Sequence, residues 1–582
     1  MVPPTDAENP PNILLPVDVS LARFRSGHCP SDVEIGTLKG FCEEALKEIA
    51  HNDAEARKLR DSLALLERRT LDLEQSVQRC RAFASVVRRV PTEIWVEIFS
   101  ECIKLVGSSL SLTGYYEPFV SSCTLAFSQT CSFWRAITLS TPKLWSKLRL
   151  DLYTVSPGLG DLVQLFVQRS DPSPLVLDVR FLGGEPSEYG WRTFWDLVHF
   201  RSRWLQAEVH AYHIPLPHGM STQIQFPILE KLKLPCEFDE TDDPARPDFL
   251  PILLNGSRSL HSLDIYGFRR VFAPSFANLS DICLKLTSIQ DLVDCLTLCP
   301  QLRKADLSGF YIPVEERPLS APLEKIAHSM LSSLDFEFVI PDEAITILPS
   351  LVLPSLVTLN VYYDLDSLGE RYDDASEYLD SLSYSIESLR AMIVQSSCQL
   401  QRLQLGAGFV ACGQRASDRA LIDLLTLMPN LTHLEIDAQR YSAFSDQFFR
   451  KLTLSTSCVP AEKPLLPLLQ DFRVSIGDNP EFYNEGEILS DEPLPNSELI
   501  LTMLKSRRAE GSTIVRLQTF HFCVTIDRGV VALADEWIRF FNTDTKPQLC
   551  ALQADGLGLV LRVAEYTGST ASESSVTDTD SI

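Results

Sequence analysis

The sequence lacks the short motifs that mark most catalytic and metal-binding sites. It contains no GKS/T phosphate loop, no GxSxG nucleophile elbow and no HExxH zinc helix. It also contains no CxxC pair, so a zinc ribbon or a thioredoxin-like redox motif has no support. We therefore expect a chain that is not an enzyme and that uses neither a cofactor nor a metal.

Long apolar runs and a secretory leader are also missing. A membrane-spanning helix needs about 20 predominantly apolar residues, and no uninterrupted run in this sequence is that long. The first residues lack the basic region and apolar core of a signal peptide. The 15 cysteines are scattered along the chain, which favours reduced thiols. These features predict a protein of the cytoplasm, the nucleus or both, with no membrane partner.

Basic residues are scarce relative to acidic ones. The 582 residues include 52 Lys and Arg against 77 Asp and Glu, which gives a formal net charge of −25 at pH 7. Such a charge repels phosphate backbones, so we expect no nucleic-acid partner. The length exceeds that of a typical single domain, and it predicts several domains or one long repeat array.

A heptad pattern follows a proline-rich stretch, residues 1–34, that we expect to be a disordered leader. Across residues 35–88, apolar or small side chains recur at alternating steps of four and three. One heptad position holds Leu38, Leu59, Leu66 and Leu73. The pattern predicts a long helix with two open arrangements: a coiled coil that forms a homodimer, or a helix that folds back on its own chain. Asn52 and Thr70 weaken the seam.

We predict an all-α unit at residues 89–148, with two short apolar helices. The first begins near Pro91, because proline suits the first turn of a helix. Its apolar face consists of Ile94, Trp95, Ile98, Phe99 and Cys102. Residues 107–122 are rich in Gly, Ser and Tyr and predict a loop. The apolar positions of the second helix are Cys131, Trp134 and Ile137. Pro142 breaks that helix, and Leu144 and Trp145 end the unit.

A different pattern recurs through residues 149–565. A leucine is followed three and five residues later by apolar residues, as in Leu260, Leu263 and Ile265. The leading leucines of the ten copies are Leu229, Leu260, Leu279, Leu302, Leu331, Leu356, Leu400, Leu431, Leu469 and Leu517. The pattern is typical of the strand in a leucine-rich repeat, in which alternate side chains face the core.

These repeats predict an α/β fold with parallel strands and outer helices. Two helix–strand pairs match each other, one starting at Asp291 and the other at Leu421. Because the spacing of the copies varies from about 19 to nearly 50 residues, we expect an irregular, curved solenoid. We expect the polar and acidic tail, residues 566–582, to be disordered.

The segment Val90–Leu148 resembles an F-box, in the variant found in large families from mushroom-forming fungi. The matching residues are Pro91, Glu93, Ile94, Ile98, Phe99, Cys131, Trp134, Arg135, Pro142, Leu144 and Trp145. The chain departs from the family pattern at Val90, which replaces a leucine, and at Thr130, which replaces a valine. The stretch 107–122 is also longer than in the commonest F-boxes.

The resemblance implies a substrate receptor of a ubiquitin ligase, which directs protein degradation without catalytic residues of its own. The F-box would bind a Skp-family adaptor and, through it, a cullin. The adaptor-binding residues would be Pro91, Ile94, Trp95, Ile98, Phe99, Cys131, Trp134, Ile137, Leu144 and Trp145. We expect Trp95→Asp or Ile98→Asp to abolish this association and to leave the array folded. Alternatively, these residues cap the end of the array, since open solenoid ends need covering.

The repeats would bind an unknown protein substrate through exposed strand positions. Candidates are Asp264, Tyr266, Asp335, Glu337, Asn360, Tyr362, Gln404, Glu435 and His521; plain solvated surface is the alternative role for each. A second hypothesis is a leucine-rich interaction scaffold with a degenerate F-box, oligomerised by the heptad helix. The best metal candidate combines Glu208 and His210, two apart on a strand, with His213 and His218 nearby. Ordinary surface histidines are the favoured interpretation of this group.

Overall fold

The structure is a computed structural model that describes 18 stretches of the chain. They are residues 20–114, 119–153, 155–181, 187–217, 219, 223–235, 248–268, 276–309, 323–339, 341–364, 375–410, 417–438, 444, 446–454, 465–477, 496–509, 515–526 and 545–565. The chain divides into two compact units, Met1–Trp95 and Val96–Ile582. The predicted tail, residues 566–582, lies outside the described residues.

The first unit is dominated by one long helix. The short helix α1, Leu21–Arg25, precedes α2, Asp32–Ala84, and a single 3-10 turn covers Val86–Arg89. Ser31 and Glu34 cap α2 reciprocally, since each side chain accepts a hydrogen bond from the other residue's backbone N–H. Arg23 lies 2.6 Å from the Glu34 carboxylate. The hydrogen bond from the Ser31 backbone, followed by the one from Arg23, lowers the pKa of Glu34 to about 2.

The predicted long helix is present in this region, but it starts earlier than the predicted disordered leader allows. The disordered leader was expected to extend to residue 34, but residues 20–34 form α1 and the capped start of α2. The capping box explains the difference, because it satisfies backbone donors that would otherwise need water. The long helix is confirmed, and it runs without interruption from Asp32 to Ala84 with no buried residue.

The second unit contains a 16-stranded sheet in the part of the chain that the structure describes. Its strands are β1 Leu110–Thr113, β2 Phe119–Ser121, β3 Lys147–Asp151, β4 Leu175–Arg180, β5 Trp204–His210, β6 Lys231–Leu234, β7 Ser262–Tyr266, β8 Asp281–Lys285, β9 Lys304–Ser308, β11 Ser333–Phe338, β13 Thr358–Tyr363, β14 Arg402–Val410, β15 His433–Ala438, β16 Asp471–Gly477, β17 Thr519–Ile526 and β18 Gly558–Glu565. The short strands β10 Ile326–Ala327 and β12 Leu351–Val352 pair separately. In the large sheet the chain adds strands in sequence order from β3 to β18.

Every described pair in the large sheet is parallel except β1 with β2. Parallel neighbours need crossover connections, and several of these contain helices. The helices of this part are α3 Thr92–Val106, α4 Cys123–Thr130, α5 Ser132–Ser140, α6 Pro157–Arg169, α7 Glu188–His199, α8 Phe249–Asn255, α9 Ile289–Leu298, α10 Pro341–Ile347, α11 Ala375–Ser396, α12 Ser417–Thr426, α13 Asp446–Leu452, α14 Ser497–Arg508 and α15 Lys546–Ala554. The predicted α/β class is confirmed.

The leucine pattern corresponds closely to the strands. All ten leading leucines are at most 1% exposed, and a described strand begins two residues after each of them. On β7, for example, Leu263 and Ile265 are buried while the residues between them are half-buried. The core is thus built by leucines that precede the strands and by alternate strand residues.

The loop predicted at residues 107–122 is wrong. This stretch contains β1 and β2, and β1 pairs in parallel with β3. In β1, Leu110 and Leu112 are buried and alternate with Ser111 and Thr113, which is the period-two pattern of a short strand. The expectation that residues 89–148 form an all-α unit is therefore also wrong. The boundary at residue 148 falls within β3.

No helix among the described residues is both long enough and apolar enough to cross a membrane.

Candidate functional site

The ten residues predicted to bind an adaptor fall into two groups. Five are buried: Trp95, Phe99, Ile137, Leu144 and Trp145. Four are exposed and Trp134 is half-buried; the exposed residues are Pro91, Ile94, Ile98 and Cys131. The buried group can support a docking surface, whereas only the exposed group and Trp134 can contact a partner without a rearrangement.

Phe99 anchors α3 within the second unit through aromatic contacts. Its ring stacks on Phe127 of α4 at 4.3 Å between centroids, with 13° between the ring planes. The Trp134 ring, from α5, and the Phe99 ring form a T-shaped pair with 5.1 Å between centroids. Such pairs contribute roughly 0.5–1.5 kcal/mol each beyond area burial. These contacts fix the C-terminal part of α3 against α4 and α5.

Trp145 is held on all sides rather than presented to solvent. Its indole Nε1–H donates to the Thr138 carbonyl at 2.8 Å. The Arg169 guanidinium lies 4.8 Å from the ring centroid, and the Phe166 ring packs at the same distance. Leu144 beside it is also buried, and its carbonyl accepts a hydrogen bond from the Thr124 hydroxyl at 2.7 Å. The pair therefore connects the helical segment to α6.

Cys131 has a local role that the sequence pattern did not indicate. It precedes α5 in an extended conformation, and its Sγ accepts a hydrogen bond from the Trp134 backbone N–H at 3.4 Å. This places Cys131 at the N-cap of α5, where a side-chain acceptor satisfies a free donor of the first turn. Cys131 is exposed, so the cap faces solvent.

An exposed apolar face remains on α3. Ile98 is 41% exposed and Leu105 is 88% exposed, and residues seven apart lie two turns apart on the same side of a helix. In the first unit, Ile94 is 50% exposed. Leu105 was not among the predicted residues, although helical spacing from Ile98 would have found it. Phe133 and Leu139 of α5 were also missed, and each is more than 40% exposed.

The exposed side of the sheet carries one continuous row of side chains in register. From β3 to β17 the row holds Arg149, Asp178, Glu208, Lys233, Asp264, Cys283, Asp306, Asp335, Asn360, Gln404, Glu435, Arg473 and His521. Six of the nine predicted partner-binding positions lie in this row. Tyr266, Glu337 and Tyr362 lie two residues further along their strands, on the same face. A groove of about 560 Å³ follows this face from β3 to β9.

The histidine candidates for a metal site are only partly brought together. His210 Nε2 lies 2.9 Å from Glu208 and 3.7 Å from Asp178 of the neighbouring strand. These three residues could each offer one ligand atom, all within 4.8 Å of one another. His213 lies beyond the end of β5, and His218 is outside the described residues.

Within this cluster, the Asp178 carboxylate already forms ion pairs with two arginines. Asp178 pairs with Arg149 at 2.7 Å and with Arg180 at 3.1 Å. Burial raises the pKa of Asp178, but the two guanidinium groups outweigh burial and hold that pKa below its ordinary value. Since both carboxylate oxygens accept hydrogen bonds from arginine, the group is better suited to an ion-pair network across three strands than to a cation site.

The middle of the face has an excess of carboxylates. Asp306 and Asp335 are direct neighbours in the register of β9 and β11. Burial, followed by repulsion from Asp335, raises the pKa of Asp306. Burial and Asp364 likewise raise the pKa of Glu337. The pKa of Tyr362 rises to about 12 because of burial and the nearby Glu337. This part of the face therefore carries negative charge that the fold does not fully compensate.

We expect Asp306→Asn to stabilise the protein by about 0.5 kcal/mol at pH 7, because like charges directly opposite on neighbouring strands are destabilising. Because the pKa of Asp306 is raised in the folded state, ionisation of this carboxyl destabilises the fold. The protein therefore loses stability as the pH rises above about 4, the ordinary pKa of an aspartate. The gain should therefore shrink toward pH 4. Thermal unfolding at both pH values measures this, with exposed Glu230→Gln as the control. Equal gains at both pH values would contradict the charge explanation.

A scan against protein-family models finds no match, and a search of curated proteins also finds none.

Proposed function

We propose that this chain is a non-catalytic substrate receptor of a Skp–cullin–F-box ubiquitin ligase. Residues 89–148 would form the F-box that binds a Skp-family adaptor and, through it, a cullin. The observation that carries the proposal is the exposed apolar face of α3. Ile98 and Leu105 face solvent while their neighbour Phe99 is fully buried against α4 and α5. Exposed apolar surface on a rigidly held helix is typical of a protein-binding site.

The strands after β3 would form an irregular leucine-rich repeat array that binds a protein substrate. The complete burial of the ten leading leucines and the parallel register of their strands support this assignment. The row from Arg149 to His521, most of whose side chains are half-buried, would be the binding face. Its polar and charged side chains suit recognition of another protein, because charge complementarity gives specificity.

We place the protein in the cytoplasm, the nucleus or both. Twelve cysteines among the described residues are free thiols, which is the usual state in a reducing compartment. The ubiquitin ligase proposed here would operate in the same compartments.

The proposal is tested by purifying tagged full-length chain from fungal cells. A Skp-family adaptor and a cullin are expected among the co-purifying proteins identified by mass spectrometry. The matched control is Ile98→Asp, which should lose both proteins while proteins bound to the repeats are retained. If neither adaptor nor cullin is recovered with folded wild-type chain, the proposed function is wrong.

A second function is an interaction scaffold with a degenerate F-box. The observation that favours it is α2, which exposes a long apolar seam suited to oligomerisation. The two functions differ in one respect that can be measured: the scaffold would assemble into oligomers and bind partners through its strands without any adaptor.

A further inference from the structure

Helix α2 presents a seam of apolar and small residues along its whole length. The fourteen seam positions are Leu38, Cys42, Ala45, Ile49, Asn52, Ala56, Leu59, Leu63, Leu66, Thr70, Leu73, Val77, Cys80 and Ala84. The 53-residue helix is about 80 Å long at 1.5 Å per residue, and none of its residues is buried. Its large apolar seam residues are strongly exposed, with Leu59 at 65% and Leu66 at 60%. Among the residues that the structure describes, this seam therefore has no apolar partner.

We propose that α2 pairs with α2 of a second copy of the chain as a parallel, in-register, two-stranded coiled coil. This pairing does not depend on the proposed adaptor binding. In a heptad, the step from position a to position d is three residues and the step from d to the next a is four. Each of the leucines Leu38, Leu59, Leu66 and Leu73 is followed by a step of four, so these leucines occupy position d. Three of the seven seam residues at position a are the β-branched Ile49, Thr70 and Val77, and the other four are Cys42, Ala56, Leu63 and Ala84. Leucine at d with β-branched residues at a favours two parallel strands.

The charges beside the seam favour the same orientation. In a parallel pair, a residue at position g faces the residue five positions later, at position e of the partner helix. Glu55 then faces Arg60, and Arg69 faces Glu74, so both contacts are attractive. Each occurs twice in a symmetric dimer. Glu48 facing Asp53 is the repulsive exception.

An antiparallel pair that aligns the same seam would be electrostatically poor. It would place Arg60 against the Arg60 of the second copy, and Asp53 against Glu67. Only Glu55 against Arg69 would be attractive. Because like charges at these positions disfavour pairing, the parallel register is selected.

The first test is sedimentation of full-length protein at micromolar concentration. Wild-type chain is expected to be a dimer. Arg60→Glu should weaken dimerisation roughly tenfold, because both symmetric contacts with Glu55 become repulsive. The double change Glu55→Arg with Arg60→Glu should restore the dimer. Arg68→Glu is the matched control, since Arg68 lies on the helix face opposite the seam, and it should have no effect. A monomeric wild-type chain would overturn the proposal.

The second test determines orientation. In the parallel register, Cys80 lies opposite the Cys80 of the second copy, and the Cys42 pair is likewise aligned. A short bis-maleimide reagent joins two nearby thiols, and mass spectrometry identifies the linked peptides. We expect links of Cys80 to Cys80 and of Cys42 to Cys42, which can form only between two copies. The double variant Glu55→Arg with Arg69→Glu makes both parallel contacts repulsive but would keep the antiparallel contact attractive. Links of Cys42 to Cys80, or a dimer that this double variant retains at full strength, would overturn the parallel orientation.

Discussion

Ile98→Asp is expected to weaken adaptor binding by at least about 100-fold and to leave the fold intact. An apolar side chain of this size contributes roughly 1.5–3 kcal/mol when it becomes fully buried at an interface. An aspartate in its place would also have to lose its hydration without a partner. Since Ile98 is 41% exposed in the free chain, the substitution should change stability by only about 1 kcal/mol.

The measurement is binding of purified adaptor to wild-type and variant chains, together with thermal unfolding of both. Val394→Asp is the matched control, because Val394 is a 57% exposed apolar residue on the distant helix α11. Trp95→Asp, expected from sequence to be equivalent, is a poorer test. Trp95 is only 8% exposed, so an aspartate there would place a charge in the protein interior. Full binding by a folded Ile98→Asp variant would contradict the docking assignment.

Arg507→Met is expected to destabilise the second unit by about 3–5 kcal/mol. Arg507 is 2% exposed and donates to the carbonyls of Leu452, Leu465 and Leu466 at 2.7–2.9 Å. Burial lowers the pKa of Arg507 to about 10, so the group remains charged at neutral pH. Methionine would fill much of the space but would leave three carbonyls without their donor. Each unsatisfied carbonyl costs roughly 1–3 kcal/mol, and removal of the buried charge offsets part of this loss.

The backbone conformation of Leu466 adds to the expected effect of losing Arg507 on stability. Leu466 has a φ of 52°, in the left-handed region that costs a residue other than glycine roughly 1 kcal/mol or more. The Arg507 hydrogen bond to its carbonyl helps to hold it there. Denaturant unfolding measures the effect, with Arg450→Met as the control because the Arg450 side chain is 67% exposed. A loss below about 1 kcal/mol for Arg507→Met would show that the carbonyls find other donors.

The main features of the fold could be predicted because they depend on periodic apolar residues. A leucine followed three and five residues later by apolar residues predicts a buried residue just before a strand and two buried residues on one face of that strand. This pattern does not depend on the length of the loop between copies. The strand β1 was missed because its four residues, Leu110–Thr113, follow Gly107 and two serines and are too short to show a clear period. Its burial depends on pairing with β3, about 40 residues later, which no local pattern reveals.

The site was harder to predict than the fold. Helical spacing identifies an apolar face but not which part of it packs inside, so Phe99 and Trp145 were grouped with Ile98 although only Ile98 is exposed. Arg507 shows the opposite error, because its sequence context predicts an exposed residue but the residue is buried. With Lys505 and Arg508 it forms a basic last helical turn, which is usually a solvated position favourable to the helix dipole. Its burial depends on carbonyls more than 40 residues earlier in the chain.

Titration of purified full-length chain with a purified Skp-family adaptor in a calorimeter measures adaptor binding directly. We expect one adaptor bound per chain with micromolar or tighter affinity, and a negative heat-capacity change from burial of apolar surface such as Ile98 and Leu105. No binding heat at any temperature, from a chain whose cooperative unfolding shows it to be folded, would contradict the proposed function.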